Sequence, residues 1–74
     1  MLIHISYGGN GRLEDVVPGS NVGCIRQNRN LAISYGYSAD DQPVVNGVPA
    51  QDNVVLTEGD RVTFMTRSHE KALA

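Results

Sequence analysis

The dipeptide Asn46-Gly47, set between Val44-Val45 and Val48, constrains this chain more than any other stretch. A two-residue hairpin turn of type I′ needs positive φ at both central residues. Asn and Gly accept that at low cost, and β-branched neighbours favour strands on either side. Further on, Leu56 closes a polar loop and Glu58-Gly59-Asp60 supplies a second tight turn. That turn launches a strand with Val62 and Phe64 on one face and Arg61 and Thr63 on the other. Two such turns feeding strands imply a small β-rich domain.

A chain of 74 residues is one domain near the lower limit for a self-sufficient core. A core of this size leaves a net stability of about 3–5 kcal/mol, so a single poorly filled position matters. Hydrophobic residues make up 41 % of the chain, which argues against disorder. Aromatics are restricted to Tyr7, Tyr35, Tyr37 and Phe64, so the core must rest on Val, Ile and Leu, residues that favour strands.

The formal charge of −2 provides no basic footprint for nucleic acid. Arg26 and Arg29 stand three apart and read as a solvated helix face. A lone Cys24 excludes an internal disulfide and a cysteine-based metal motif, and fits a reducing interior. The segment from Met1 to Tyr7 is too short for a signal peptide and no stretch reaches membrane-spanning length, so the expectation is a cytoplasmic protein.

Taken in order, Leu2-Ile3-His4-Ile5-Ser6-Tyr7 reads as a strand with Ile3, Ile5 and Tyr7 on one face. A four-residue turn, Gly8-Gly9-Asn10-Gly11, leads into a return strand over 12–17 with Leu13 and Val17 on a single face. Pro18-Gly19 ends it. Ser20 or Asn21 offers an N-cap to a helix whose narrow apolar stripe includes Val22 and Ile25. Asn28-Arg29-Asn30 interrupts that helix, and Leu31-Ala32-Ile33 adds a turn stopped by Gly36. Pro43 places the start of the third strand at an edge or at a first strand position. After the Asn46-Gly47 turn come a short return at Val48-Pro49 and a last strand from about 60 to 66. The residues from 68 to 74 read as a flexible polar tail.

A hairpin, a crossing helix and further strands form the plan of the β-grasp, or ubiquitin-like, fold: α+β, with a mixed four- to five-stranded sheet and one helix packed across one face. Three segments carry the resemblance: Pro18-Gly19-Ser20-Asn21-Val22-Gly23, Val44-Val45-Asn46-Gly47, and Leu56-Thr57-Glu58-Gly59-Asp60-Arg61-Val62-Thr63-Phe64. The series resembles the small sulfur-carrier branch, meaning the thiamine-biosynthesis carrier and the small subunit of molybdopterin synthase. It is similar also to the TGS domains. The resemblance spans about residues 16 to 66 and implies a single domain over 1–67, with the first and last strands parallel at the centre of the sheet.

Sulfur carriers and ubiquitin-type modifiers act through a C-terminal Gly-Gly. Here the tail reads Arg67-Ser68-His69-Glu70-Lys71-Ala72-Leu73-Ala74, and no glycine follows Gly59. Carrier or modifier chemistry therefore stands as the alternative reading, in which the Ala74 carboxylate would be adenylated. A further alternative comes from the turn at Glu58-Gly59-Asp60, which is similar also to the swapped-hairpin DNA-binding dimers. The basic residues those dimers need beside the turn are missing.

No constellation of side chains carries catalysis. His4 and His69 are far apart in sequence and lack ligand spacing. Cys24 sits beside an apolar stripe and reads as a small core residue. Asp52 and Asp60 read as side chains that satisfy turn amides. Gly8-Gly9-Asn10-Gly11 lacks the lysine and the following helix of a phosphate loop. Tyr35 and Tyr37, flanking Gly36, are the candidate binding residues, because tyrosine supplies contact area at low entropic cost, with at least one of the pair expected to cap the core instead. The expected function is a non-enzymatic module that binds another protein through the open sheet face or this tyrosine loop. No metal, cofactor, nucleic acid or membrane partner is expected, and the sequence specifies neither the partner nor an oligomeric state.

Overall fold

The computed structural model describes residues 1–65. The tail over 68–74, with His69, and the end of the last strand expected at 66 lie outside the described residues. The elements are β1 (Leu2–Tyr7), β2 (Asn10–Asp15), α1 (Val22–Arg26), α2 (Arg29–Tyr35), β3 (Gln42–Val45), β4 (Val48–Pro49) and β5 (Arg61–Met65). They form an α+β fold with one five-stranded mixed sheet in the order β2-β1-β5-β3-β4. The first strand and β5 pair in parallel at its centre, with Ile5 opposite Val62 and Tyr7 opposite Phe64.

Both turns form as their chemistry requires. Asn46 and Gly47 take φ of 51° and 86°, the double positive φ of the hairpin turn joining β3 and β4. Gly59 takes φ of 86° in the turn closed by the Asp60 amide donating to the Thr57 carbonyl at 3.1 Å. The two turns also brace each other. Asn46 Nδ2 donates to Asp60 Oδ1 at 3.1 Å, and the Arg61 amide donates to Asn46 Oδ1 at 3.0 Å.

The expected helix is two helices. Asn21 caps the first, its Oδ1 accepting from the Cys24 amide at 2.9 Å. Asn28 then starts a second instead of merely interrupting the first, since its Oδ1 accepts from the Leu31 amide at 3.1 Å. Gly36, at φ 93°, ends α2 as a left-handed cap. Gly23 is buried, and a Cβ there would stand 3.0 Å from that of Asp52. The close approach lets the 52–56 segment run along the start of α1. The Asp52 and Val54 carbonyls accept from Gly23 and Val22, and Leu56 donates to Ser20.

The first hairpin departs most from expectation. Its turn is the pair Gly8-Gly9, and the return strand runs Asn10–Asp15, starting and ending two residues early. In this register Ile3 faces Glu14 and Ile5 faces Arg12, so the inward face of β2 is charged. Leu13 and Val17, expected as a shared apolar face, are both exposed.

The core consists of Ile3, Ile5, Val62 and Phe64 from the two central strands, Val22 and Ile25 from α1, and Tyr35, Tyr37 and Leu56. Each aliphatic member contributes roughly 1.5–3 kcal/mol by leaving water.

Candidate protein-docking face

One sheet face lies under the helices. Strand alternation places Leu2, His4 and Ser6 of β1, Arg61, Thr63 and Met65 of β5, and Val44 of β3 on the other. Among the described residues no element covers this face. Its centre is polar but satisfied, since Ser6 Oγ and Thr63 Oγ1 share a hydrogen bond of 2.9 Å. Around that pair, Leu2, Leu13 and Met65 are 45 %, 66 % and 53 % exposed. The His4 ring lies over Gly11, where a Cβ would come within 3.0 Å of it. Glycine on β2 therefore leaves room for the imidazole beside that strand. The result is a surface of separated apolar side chains around a hydroxyl pair, suited to contact with another surface.

Tyr35 and Tyr37 are each 4 % exposed, so they do not form an exposed loop. Tyr37 stacks on Phe64 with ring centroids 3.9 Å apart and planes 7° from parallel. Its hydroxyl donates to the Ile25 carbonyl at 2.6 Å, and burial pushes its pKa up to about 12. The Tyr35 hydroxyl donates to Glu14 Oε1 at 3.0 Å while the Arg12 guanidinium lies 4.7 Å from its ring centroid. Arg12 also donates to Ser34 Oγ. Burial raises the Tyr35 pKa as well. The pair thus anchors α2 and the loop after it to the sheet. What sequence reasoning missed was the charged inward face of β2, the partner that makes burying Tyr35 possible.

The remaining candidates also settle into structure. Cys24 is exposed, not part of the core. Its position follows from the Asn21 cap, which turns Val22 and Ile25 inward and leaves Cys24 outside. Arg26 and Arg29 fall in different helices. Arg26 is committed to Asp52, with bonds of 2.8 and 2.5 Å, and to the Ala39 carbonyl at 2.6 Å. Asp52 therefore holds an arginine instead of a turn amide, and that pairing keeps its carboxyl below the usual range. Asp60 satisfies the Thr57 amide at 2.8 Å, as expected of a turn aspartate. Among the described residues, no three His, Cys, Asp or Glu side chains are grouped to hold a metal ion. No helix among them is long and apolar enough to cross a membrane.

The turn at Glu58-Gly59-Asp60 feeds a strand enclosed on both sides by β1 and β3 of the same chain. No protein-family model matches the chain, and no curated protein sequence matches it either. Among solved structures, the fold is similar to part of a chain in the crystal structure of ATBAG1 in complex with HSP70, with a TM-score of 0.70 at 14 % identity. The likeness covers 99 % of this chain and 45 % of that one, so this chain spans less than half its length. At that identity the likeness concerns the fold alone.

Proposed function

We propose that the chain is a non-enzymatic, ubiquitin-like β-grasp domain over 1–67 that binds another protein through its open sheet face. The observation that carries this reading is the uncovered face itself, with Leu2, Leu13 and Met65 exposed around the Ser6–Thr63 pair. The parallel pairing of β1 with β5 beneath the helices is the arrangement a β-grasp domain would have. The V-N-G and G-D-x-V turns favour a place beside the sulfur-carrier and TGS branches, as a binding domain and not a carrier. The chain sharing this fold was solved in complex with HSP70, which supports a protein partner without identifying it. The buried tyrosines act in this reading as a scaffold for the face.

The test begins with the chain tagged at its N-terminus and recovered from its host. A stoichiometric companion released by denaturant is then purified and titrated against Thr63→Arg and Met65→Asp variants. Binding weakened tenfold or more by each variant, with the fold intact, is the expected result; 1.4 kcal/mol corresponds to that factor. Unchanged binding in both variants would remove the sheet-face assignment. A covalent adduct at Ala74 that survives denaturant would instead support the modifier reading.

A further inference from the structure

The two edges of the sheet differ in how they are finished. Strand β4 is two residues long and ends in Pro49, which has no amide hydrogen to offer. Strand β2 is six residues long, and no element among the described residues pairs with its outer side.

The direction of its free backbone groups follows from the register. Met1 and Val16 exchange both hydrogen bonds, at 2.7 and 2.8 Å. Alternation along an antiparallel pair then assigns Glu14, Arg12 and Asn10 to the bonded positions opposite Ile3, Ile5 and Tyr7. The amides and carbonyls of Asp15, Leu13 and Gly11 point away from β1. The same alternation turns the His4 amide toward β5, where it donates to the Asp60 carbonyl at 2.9 Å.

We propose that this edge pairs with the same edge of a second copy of the chain, antiparallel about a two-fold axis at Leu13, joining the two sheets into one. This inference does not rest on the docking reading above, although Leu13 belongs to both surfaces. The side-chain order supports a second copy over an unrelated strand, because Arg12-Leu13-Glu14 is its own complement. Pairing about Leu13 sets Arg12 against the Glu14 of the second copy, twice by symmetry, and sets Leu13 against Leu13. It also matches every outward position with another, Leu13 with Leu13 and Gly11 with Asp15. A register moved by one residue would match none of them. Arg12 and Glu14 already lie 3.5 Å apart within the chain, and their side chains remain 55 % and 25 % exposed, so the pair still presents surface to its counterpart on a second copy. Leu13, exposed on the open face, would gain an apolar neighbour.

Sedimentation equilibrium of the full chain up to about 1 mM tests the proposal, since a single strand pairing is expected to be weak. A dimer is expected, together with concentration-dependent amide shifts confined to 10–15 and their neighbours. Leu13→Pro deletes an outward amide and no bond to β1, so the dimer should disappear while the monomer stays folded. If that variant does not fold, the charge exchange decides. Arg12→Glu should weaken association about five- to tenfold, and combining it with Glu14→Arg should restore it. A monomer at every concentration would overturn the proposal. So would a dimer indifferent to both the proline and the charge exchange, or one whose shifts map to Thr63 and Met65.

Discussion

The corner where β3 meets β5 and the margin where β2 meets α2 are both held by side-chain hydrogen bonds, but by different means. At the corner, Asn46 and Asp60 each sit in a tight turn: Asp60 accepts from the Thr57 amide of its own turn, while the Asn46 side chain accepts from the Arg61 amide of the other and donates to Asp60. At the margin, Arg12, Glu14, Ser34 and Tyr35 join a strand to a helix through side chains alone. The corner couples conformations that its residues already prefer. The margin depends on a long-range register that none of its residues prefers by itself. Substitutions should therefore cost more at the corner, and the margin should yield in small steps.

The largest effect is expected from Asn46→Ala. It places a residue with a Cβ and no local polar group at φ 51° and removes the bonds to Asp60 and the Arg61 amide. A loss of about 1–3 kcal/mol is expected, read as a lower urea midpoint at unchanged slope. A loss under about 0.5 kcal/mol would mean that the brace contributes little beyond either turn alone.

Tyr37→Phe comes next. The Phe64 stacking survives, but the buried Ile25 carbonyl loses its donor, at a cost of about 1–2 kcal/mol. The same hydroxyl gives a pH signature. Its pKa rises from 10.0 to about 12 on burial, so the folded state holds the proton more tightly than the unfolded chain. That contribution is complete below pH 10 and is lost as pH rises through 12. The wild-type urea midpoint should fall across this window more steeply than that of Tyr37→Phe. Parallel alkaline slopes would place the hydroxyl in water.

At the margin, Tyr35→Phe should cost less than about 1 kcal/mol, and Arg12→Gln should lower the urea midpoint less still, because more than half of the Arg12 side chain is exposed. Their double mutant should show coupling of a few tenths to about 1 kcal/mol. Additive losses in urea unfolding would mean that the strand and the helix are held there by packing alone.

This contrast also separates what could be read from the sequence from what could not. Asn46-Gly47, Glu58-Gly59-Asp60, the Asn21 cap and the Gly36 stop are local devices, each specified by residues within a few positions, and each forms as read. Alternation in β1 and β5 identified Ile3, Ile5, Val62 and Phe64 because central strands bury one face whatever lies beside them. An edge strand lacks that guarantee. Leu13 and Val17 were expected to share a face, but which face would turn inward depends on the register set by the Gly8-Gly9 turn, and that register turns Arg12 and Glu14 inward. Of the two tyrosines at least one was expected to cap the core, and the structure buries both. Their burial depends on acceptors and donors supplied by β2 and α1, far away in sequence. The open face was legible as the alternate positions of β1 and β5, although nothing local showed that Gly11 makes room for His4.

The smallest effect returns to the corner and is electrostatic. The Thr57 amide donates to Asp60 and holds its carboxyl below the ordinary 3.8, with the Asn46 amide group adding to the shift. A lowered folded-state pKa stabilises the fold above the unfolded value, and the effect fades as pH falls through the folded one. Acid should therefore loosen the corner before the margin. Amide exchange at Arg61 and Thr57 should accelerate, relative to neutral pH and to the intrinsic rate, ahead of exchange at Arg12 or Glu14. Asp60→Asn keeps an acceptor for Thr57 but has no proton to gain, so it should abolish the acid-dependent part of that acceleration. Equal acid sensitivity in wild type and variant would mean that the two turns are joined by geometry alone, with the charge on Asp60 contributing nothing to the brace.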